Sequence, residues 1–438
     1  MYLTGRLPLL VALGAVPVVL LSLAGVNAWL AAAGWVVLCA AAALGDAAAA
    51  ADPRSVTVRR RMPHRVLLGQ PVLSELVLRN GADGARGSRT IRGRVRDAWQ
   101  PTAGAPVERQ AVDIPAGEAR VVGIPLLPRR RGELRSAFVV VRADGPLRLA
   151  GRQARIDAPG AIRVLPPFTA RRHLPSRLAR LRELDGSTSV QVRGQGTEFD
   201  SLREYVRGDD VRSIDWRATA RSTSTMLRTW RPERDRHVVI VIDTGRTAAA
   251  RVGDGVRMDA AMEAALLLAA LAARAGDHVH LLMFDRVIRA RVTRVDGPGL
   301  LAALVDAMAP VEPQLIDTDW DAAFAQVRAL TSRPSLVVLL TAQDAAESAR
   351  GFLGSLPALT QSAHVLVGTV TGDAEALPDR PDAADVYRAA AIERAAQDAA
   401  VVAAAIGRAG GEAITDTPDE LPPRIADRYL ALKAAGRL

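Results

Sequence analysis

Cysteine is nearly missing: Cys39 stands alone in 438 residues. That excludes a disulfide framework, a zinc ribbon and a Cys-x-x-Cys redox pair. Lysine is as scarce, since Lys433 is the one lysine among 57 basic residues and the other 56 are arginine. Six scattered histidines make a multi-histidine metal cluster an unexpected arrangement. Aromatic residues supply 4% of the chain, while 49% is hydrophobic and 24% charged. That balance is too apolar for disorder and too charged for a wholly membrane-embedded protein. No Gly-x-Ser-x-Gly elbow, His-Glu-x-x-His helix or Gly-Lys-Ser/Thr phosphate loop occurs. The signatures of α/β-hydrolases, zinc proteases and P-loop enzymes are therefore absent, and no catalytic constellation is expected.

Alanine, arginine and two early apolar runs are what the chain has in plenty. Alanine and arginine are this frequent wherever a genome is rich in G and C, so a net charge of +10 points to no specific nucleic acid. Leu7–Leu23 and Ala28–Leu44 contain no charged residue, and Gly25, Val26 and Asn27 separate them. Each lies at the short end of the roughly 17–25 residues that cross a bilayer core. A cleaved signal peptide would carry a stronger basic start than Arg6, and no second span would follow it so closely. Residues 1–51 are expected to form a transmembrane helical hairpin. Cys39 falls inside it, a poor setting for a nucleophile. Arg6 precedes the first run and Arg54, Arg59, Arg60 and Arg61 follow the second. By the positive-inside rule both ends, and the soluble domains after them, belong in the cytoplasm beneath the plasma membrane. Residues 51–180 hold 26 arginines against 10 acids, which leaves the rest of the chain at −6. The excess lies where it can face anionic lipid headgroups.

From 52 to 165 the pattern changes to short β-type runs, clearest at Val72–Leu78, Ile91–Val95, Val121–Leu127 and Ala137–Val141. Turns such as Asn80-Gly81 and Asp144-Gly145-Pro146 part them. Strands at this spacing predict an immunoglobulin-like β-sandwich. Residues 166–236 read as a charged connector. Its Gly194-Gln195-Gly196 is no phosphate loop, because no apolar strand leads into it, and Arg207-Gly208-Asp209 is a chance match. Acids and arginines alternating around Tyr205 and Trp216 predict charge pairing over a small apolar core. In 237–438, strands His237–Ile242, Val279–Phe284, Leu336–Leu340 and His364–Val370 alternate with helices at Met258–Arg274, 298–308, 319–330, 384–407 and 420–435. A hairpin strand follows at Ile288–Val292. The alternation predicts an α/β doubly wound, Rossmann-type, mainly parallel sheet. Ligands bind such sheets at the carboxyl ends of strands, where Asp243 and Thr341 fall. His278 and His280 share a strand face and read as core or edge residues.

The connector from Gly196-Thr197-Glu198-Phe199-Asp200 to Asp215-Trp216-Arg217-Ala218-Thr219-Ala220-Arg221 resembles the signature of the domain-of-unknown-function 58 family. Arg130-Arg131-Gly132, Gly276-Asp277-His278-Val279 and Tyr429-Leu430-Ala431-Leu432-Lys433 match it too. The resemblance covers essentially the whole chain. It implies a membrane hairpin, a β-sandwich and a C-terminal domain similar to von Willebrand factor type A. It also implies a MoxR-type AAA+ ATPase as partner. Docking would then fall to the signature residues Glu198, Phe199, Asp200, Arg203, Tyr205, Asp209, Asp210, Arg212, Asp215, Trp216 and Arg221. Many A-type domains hold Mg²⁺ with Asp-x-Ser-x-Ser after the first strand, a later Thr and an Asp after the fourth strand, all hard oxygen donors. The resemblance places Asp243, Thr247 and Thr318 at three of those positions. Gly245 offers no side-chain oxygen, and in Thr341-Ala342-Gln343-Asp344 the acid is replaced by Ala342. Arg246 adds a positive charge beside this degenerate metal-ion-dependent adhesion site. No cofactor is expected, and Mg²⁺ is the ion such a remnant would take.

The leading expectation is a bacterial membrane-anchored adaptor, not an enzyme, working with a MoxR-type ATPase in complex assembly or cell-envelope upkeep. One alternative is a metal-dependent hydrolase using Asp243, Asp209, Asp210 or Asp215. Another is an anionic-lipid or nucleic-acid binder acting through residues 51–180, whose attachment would fall with salt.

Overall fold

Long apolar runs satisfy their backbone polar groups most simply as helices, and both early runs are helical. The first breaks into Arg6–Leu13 and Ala15–Leu23 around Gly14. A Cβ at Gly14 would lie within 2.1 Å of the Trp35 indole. The indole donates to the Leu10 carbonyl at 3.3 Å, and the Gly14 N–H bonds Val11 instead. Asn27 then caps helix Ala28–Ala49 by accepting from the Trp29 N–H at 2.9 Å. The computed structural model describes the chain outside residues 82–88, 192–197, 208, 232–235, 254, 344, 346 and 373–381, and side chains outside these and 185–191, 198–200 and 229–231. Two units result, Met1–Leu165 and Pro166–Leu438.

In the first unit the second apolar helix ends on a buried acid. Asp46 is 3% exposed and accepts the N–H groups of Leu147, Leu149 and Ala150 at 2.7, 2.7 and 3.0 Å. A Cβ at Gly145 would come within 2.4 Å of that carboxylate, so only glycine fits the facing turn. Arg152 donates to the carbonyls of Ala47 and Ala48, and Arg89 to that of Ala49. These guanidiniums occupy the acceptors that a helix end leaves open. At the other end of the hairpin, Tyr2–Leu3 pairs as an edge strand with Gly151 and Ala150. Both ends of the hairpin are therefore stitched into the β-rich segment, a connection the sequence reading had not foreseen.

That segment consists of two sheets around one core. The larger runs Tyr2–Leu3, Ala150–Leu165, Gly132–Asp144, Ile91–Trp99 and Gln110–Ile114, with Arg65–Leu67 also on Ala150–Leu165. The smaller is Val56–Arg61, Val72–Asn80 and Ala119–Leu126. Alternating residues turn inward, Leu76 and Leu78 from one sheet meeting Ile91, Val95, Ile114 and Ile162 from the other. One charged pair is buried with them. Arg60 forks onto Asp97, whose oxygens also accept from Ser136 Oγ at 2.6 Å and Trp99 Nε1 at 2.7 Å. The guanidinium further reaches Ser74 and the Ala158 carbonyl. Gly160 leaves room for it, since a Cβ there would strike the Arg60 side chain at 2.4 Å.

The second unit is built on a six-stranded sheet in the order Ile288–Val292, His278–Phe284, His237–Asp243, Leu336–Leu340, His364–Val370, Glu412–Asp416. All neighbours are parallel except Ile288–Val292. Counted along the chain this is 3-2-1-4-5-6, with the direction of winding reversing between strands 1 and 4. Successive residues of the first strand serve opposite faces. Val238, Ile240 and Ile242 pack on helices Arg257–Arg274 and Leu421–Ala434, whereas Val239 and Val241 pack on Trp320–Leu330 and Phe352. The last strand, Glu412–Asp416, was not expected. Three of its five residues are polar, and it extends the sheet edge by pairing with Leu366–Val370. Residues 166–236 are also more than a connector. Leu174–Gln191 is a helix whose Leu178, Leu181 and Leu184 join the core of this unit, and Arg177 pairs with Asp427 at 2.7 Å.

Two separated sequence motifs meet here. Asp277 is buried and accepts from Tyr429 Oη at 2.5 Å and from Lys433 Nζ at 3.0 Å. The only lysine of the chain is thus one half of a buried ion pair, 8% and 2% exposed at the two side chains. Removing one partner strands a buried charge, so Asp277→Ala should cost about 3–5 kcal/mol. Urea denaturation of the full-length protein in mild detergent measures this, and a loss below 1 kcal/mol would mean the pair behaves as an exposed one.

Candidate functional site

Strand His237–Asp243 stops where the winding reverses, and its last residue is carried into the crevice between neighbouring strand ends. Asp243 is 4% exposed. Its Oδ1 accepts from the Gly245 N–H at 2.8 Å and from Thr318 Oγ1 at 2.5 Å, and its Oδ2 from Thr341 Oγ1 at 2.7 Å and Thr247 Oγ1 at 3.4 Å. Thr318 is delivered by a loop fixed through two backbone bonds, Arg246 N–H to Ile316 and Gln314 N–H to Thr244. Gln343 Nε2 donates to Thr341 Oγ1 at 3.0 Å. Burial pushes the Asp243 carboxyl above the usual carboxylate range, against the opposing pull of Thr318, Thr341, Gly245 and Thr247. The structure therefore brings Asp243, Thr247 and Thr318 together and adds Thr341. Asp344 lies outside the described residues.

Divalent-cation chemistry fits this set poorly. One carboxylate and three hydroxyls are present, and they already bond one another. A Cβ at Gly245 would fall 2.4 Å from Thr318 Oγ1 and 2.9 Å from the Ile316 carbonyl, so the space for a serine ligand is filled. Arg246 turns to Asp317 at 3.2 Å. The crevice beside Asp243, walled by Arg257, Met258, Leu340, Thr341 and Gly368, measures about 10 Å³, roughly the room for one water. Among the described residues no three His, Cys, Asp or Glu side chains are placed to share a metal.

A second acid stands one strand away. Asp285 follows Phe284, is fully buried, and accepts from Thr244 Oγ1 at 3.0 Å, Arg289 Nε at 2.6 Å and the N–H groups of Arg286 and Val287. Burial alone would raise its carboxyl. The Arg289 guanidinium and the other donors outweigh this and hold it below the usual range. The sequence reading missed Asp285, although an acid directly after the second apolar strand was a signal available to it.

A family model described as "Protein of unknown function DUF58" matches residues 201–384. Over that stretch the chain is similar to the DUF58 family. No curated protein matches the sequence. Among solved structures, the von Willebrand factor A domain of SpRpn10 is 10% identical and covers 44% of this chain and 94% of its own, with a TM-score of 0.28. Proximal thread matrix protein 1 from the mussel byssus, with a zinc-occupied MIDAS motif, is 13% identical over 46% of each chain, with a TM-score of 0.29. The CARDB domain of PF1109 from Pyrococcus furiosus is 17% identical over 25% of this chain and 86% of its own, with a TM-score of 0.19. At such TM-scores these likenesses carry no weight, and the strand order by itself shows a doubly wound α/β sheet.

The DUF58 match takes in the second half of the connector, where strands Glu198–Glu204 and Met226–Arg231 form an antiparallel hairpin. Its acids are structural. Asp209 pairs with Arg203 at 2.7 Å and accepts the Val206 N–H. Asp210 caps the turn at Arg212. Asp215 caps Trp216–Thr219 through the N–H groups of Arg217 and Ala218, and holds Arg228 at 2.7 Å. Those two N–H groups and Arg228 keep the Asp215 carboxyl below the usual range. None of the hydrogen bonds described for Asp243 comes from this hairpin. Tyr205 is half-buried, while Arg221 and Trp216 are exposed. Glu198, Phe199 and Asp200 lie in strand backbone with side chains outside the described residues, as does Gly208. The charge pairing expected around Tyr205 and Trp216 is present, but Trp216 stays outside it at 70% exposure.

The histidines keep the core and edge places expected of them and add a stacking that spacing did not show. Three of the six gather at the amino edge of the six-stranded sheet because parallel register sets His237 beside His278 and Val239 beside His280. His237 Nδ1 and His280 Nε2 lie 2.9 Å apart, and the rings stack. His278 Nδ1 meets Asp296 at 3.0 Å. Burial, with help from His237 and His278, pushes His280 down to about 4 from 6.5.

Two predictions follow from this geometry. Asp243→Ala leaves three hydroxyls without their acceptor and should cost about 1–3 kcal/mol, while calorimetric titration with Mg²⁺ or Mn²⁺ should find nothing tighter than millimolar. A micromolar site lost in Asp243→Ala would overturn the poor metal fit. His280 is neutral in the fold, so its contribution is complete above pH 6.5 and is lost as pH falls towards about 4. The midpoint of thermal unfolding should drop across that interval, and more shallowly in His280→Leu. Parallel profiles would remove His280 as the cause.

Proposed function

We propose that the chain is a membrane-anchored adaptor that docks a MoxR-type AAA+ ATPase or its clients through the DUF58 region. The observation that carries this reading is the exposed apolar content of the connector. Leu202, Val206, Val211 and Trp216 are 40%, 62%, 60% and 70% exposed, while the acids around them hold the local backbone. An exposed tryptophan among arginines is the composition of a binding hot spot, and the Asp243 carboxylate is already committed to three hydroxyls and a backbone N–H. The hydrolase alternative gains little support, because Asp209, Asp210 and Asp215 serve as caps and ion-pair partners.

The anchor is the hairpin. Arg6–Leu23 and Ala28–Ser55 are long and apolar enough to cross a bilayer, and Leu20, Leu23, Trp29, Leu30 and Val37 are all exposed. With both flanks basic, the two ends lie in the cytoplasm of the plasma membrane. The β-rich segment, two sheets around one core, is read as an immunoglobulin-like spacer.

Purification of the full-length protein from native membranes in mild detergent, with a slowly hydrolysed ATP analogue, should retain a stoichiometric AAA+ ATPase. Trp216→Ala should weaken that retention at least about tenfold, the loss of a hot spot of roughly 2 kcal/mol, without lowering thermal stability. An eluate without a stoichiometric partner sinks the adaptor reading. A C-terminal alkaline phosphatase fusion active outside the cell sinks the orientation.

A further inference from the structure

Where the second apolar helix meets the β-rich segment, the first unit opens a cavity of about 410 Å³. Its size is that of a small-molecule site, roughly 300–1,000 Å³. Leu44 and Met1 form an apolar wall, and Arg54, Arg152 and Asp52 contribute the polar one. Leu44 is 59% exposed and belongs to the last turns of the apolar run, so the cavity begins where that run gives way to charge. Arg152 is held in place by Nε and Nη2, which donate to the Ala47 and Ala48 carbonyls. Arg54 is exposed, and its guanidinium has no partner among the described residues. The single acid on this wall, Asp52, has one oxygen engaged by the Arg54 N–H at 3.0 Å. Two guanidiniums thus outnumber one carboxylate beside an aliphatic surface.

We propose that this cavity seats the phosphodiester headgroup of an anionic phospholipid, with Arg54 and Arg152 on the phosphate oxygens and Leu44 against the first methylenes. The proposal rests on the membrane-spanning reading of the hairpin, which sets the cavity at headgroup depth. A planar guanidinium matches phosphate oxygens in pairs, which a point charge cannot do. A choline headgroup would bring its own cation against two guanidiniums, so the site selects for net negative charge. Free phosphate offers the same oxygens without the aliphatic part, and the two sources can be told apart.

Full-length protein in mild detergent is titrated with short-chain phosphatidylglycerol, short-chain phosphatidylcholine or inorganic phosphate, and bound molecules are counted by native mass spectrometry. One phosphatidylglycerol should be held about tenfold more tightly than phosphatidylcholine, the worth of one charge-assisted hydrogen bond, and more tightly than phosphate. Arg54→Gln should remove most of that preference and Arg54→Glu all of it, with thermal stability unchanged. Equal retention of the two lipids, or a preference intact in Arg54→Gln, overturns the site. Phosphate competing as tightly as phosphatidylglycerol overturns the lipid assignment in favour of a free anion. Carbonate extraction of native membranes tests the underlying reading separately. Release with peripheral proteins overturns the hairpin as a membrane span, whereas retention without lipid preference overturns the headgroup site alone.

Discussion

Asp46 carries the connection between the apolar hairpin and everything built after it in the first unit. A helix cannot end in low dielectric with its carbonyls bare, and a β-turn cannot be buried with its N–H groups bare. Asp46 meets the second need with three backbone bonds, and Arg152 and Arg89 meet the first on the adjoining carbonyls. The strand at Tyr2–Leu3 closes the arrangement from the other side. Hairpin and sheet consequently share one hydrogen-bond system, and neither end of the hairpin is a free tether.

The same economy governs the other buried acids. Asp97 between the two sheets, Asp277 under the last helix, and Asp243 and Asp285 at the strand ends each gather donors from segments far apart in sequence. Buried polar groups of this kind stabilise only when every lone pair is met, and they specify which segments must adjoin. Carboxylates so fully committed have little left for chemistry. That is the physical reason for reading the exposed connector, and not the strand ends, as the working surface.

Much of the α/β unit was legible from pattern. Runs such as Val238–Ile242 and Leu336–Leu340 are apolar at every position, which marks strands covered on both faces, and stretches between them such as Met258–Arg274 are long and rich enough in Ala and Leu to read as helices. The paired sheets of the first unit could be read from short β-type runs such as Val72–Leu78, but not the edge strand at Tyr2–Leu3. Two residues have no periodicity, and their pairing depends on where the hairpin returns. Glu412–Asp416 escaped for a related reason, since edge strands tolerate polar residues. At the site, Asp243, Thr247 and Thr318 could be aligned by analogy and Asp285 is marked by its place directly after Phe284, yet the three-histidine stack depends on sheet register. The union of Asp277 with Tyr429 and Lys433 spans more than 150 positions and could not be seen in spacing.

The fit between Gly245 and Thr318 reaches beyond stability. The threonine hydroxyl occupies the place where any side chain at 245 would begin, so the two positions cannot vary independently. A serine at 245 meets a clash before it can offer an oxygen, and a smaller residue at 318 surrenders a bond to Asp243 before any space is used. Each single step from the present arrangement towards a cation-binding loop runs uphill, and clearing Thr318 still leaves the Ile316 carbonyl 2.9 Å from a new Cβ. The strand-end pocket is held in its present chemistry by main chain as much as by side chains.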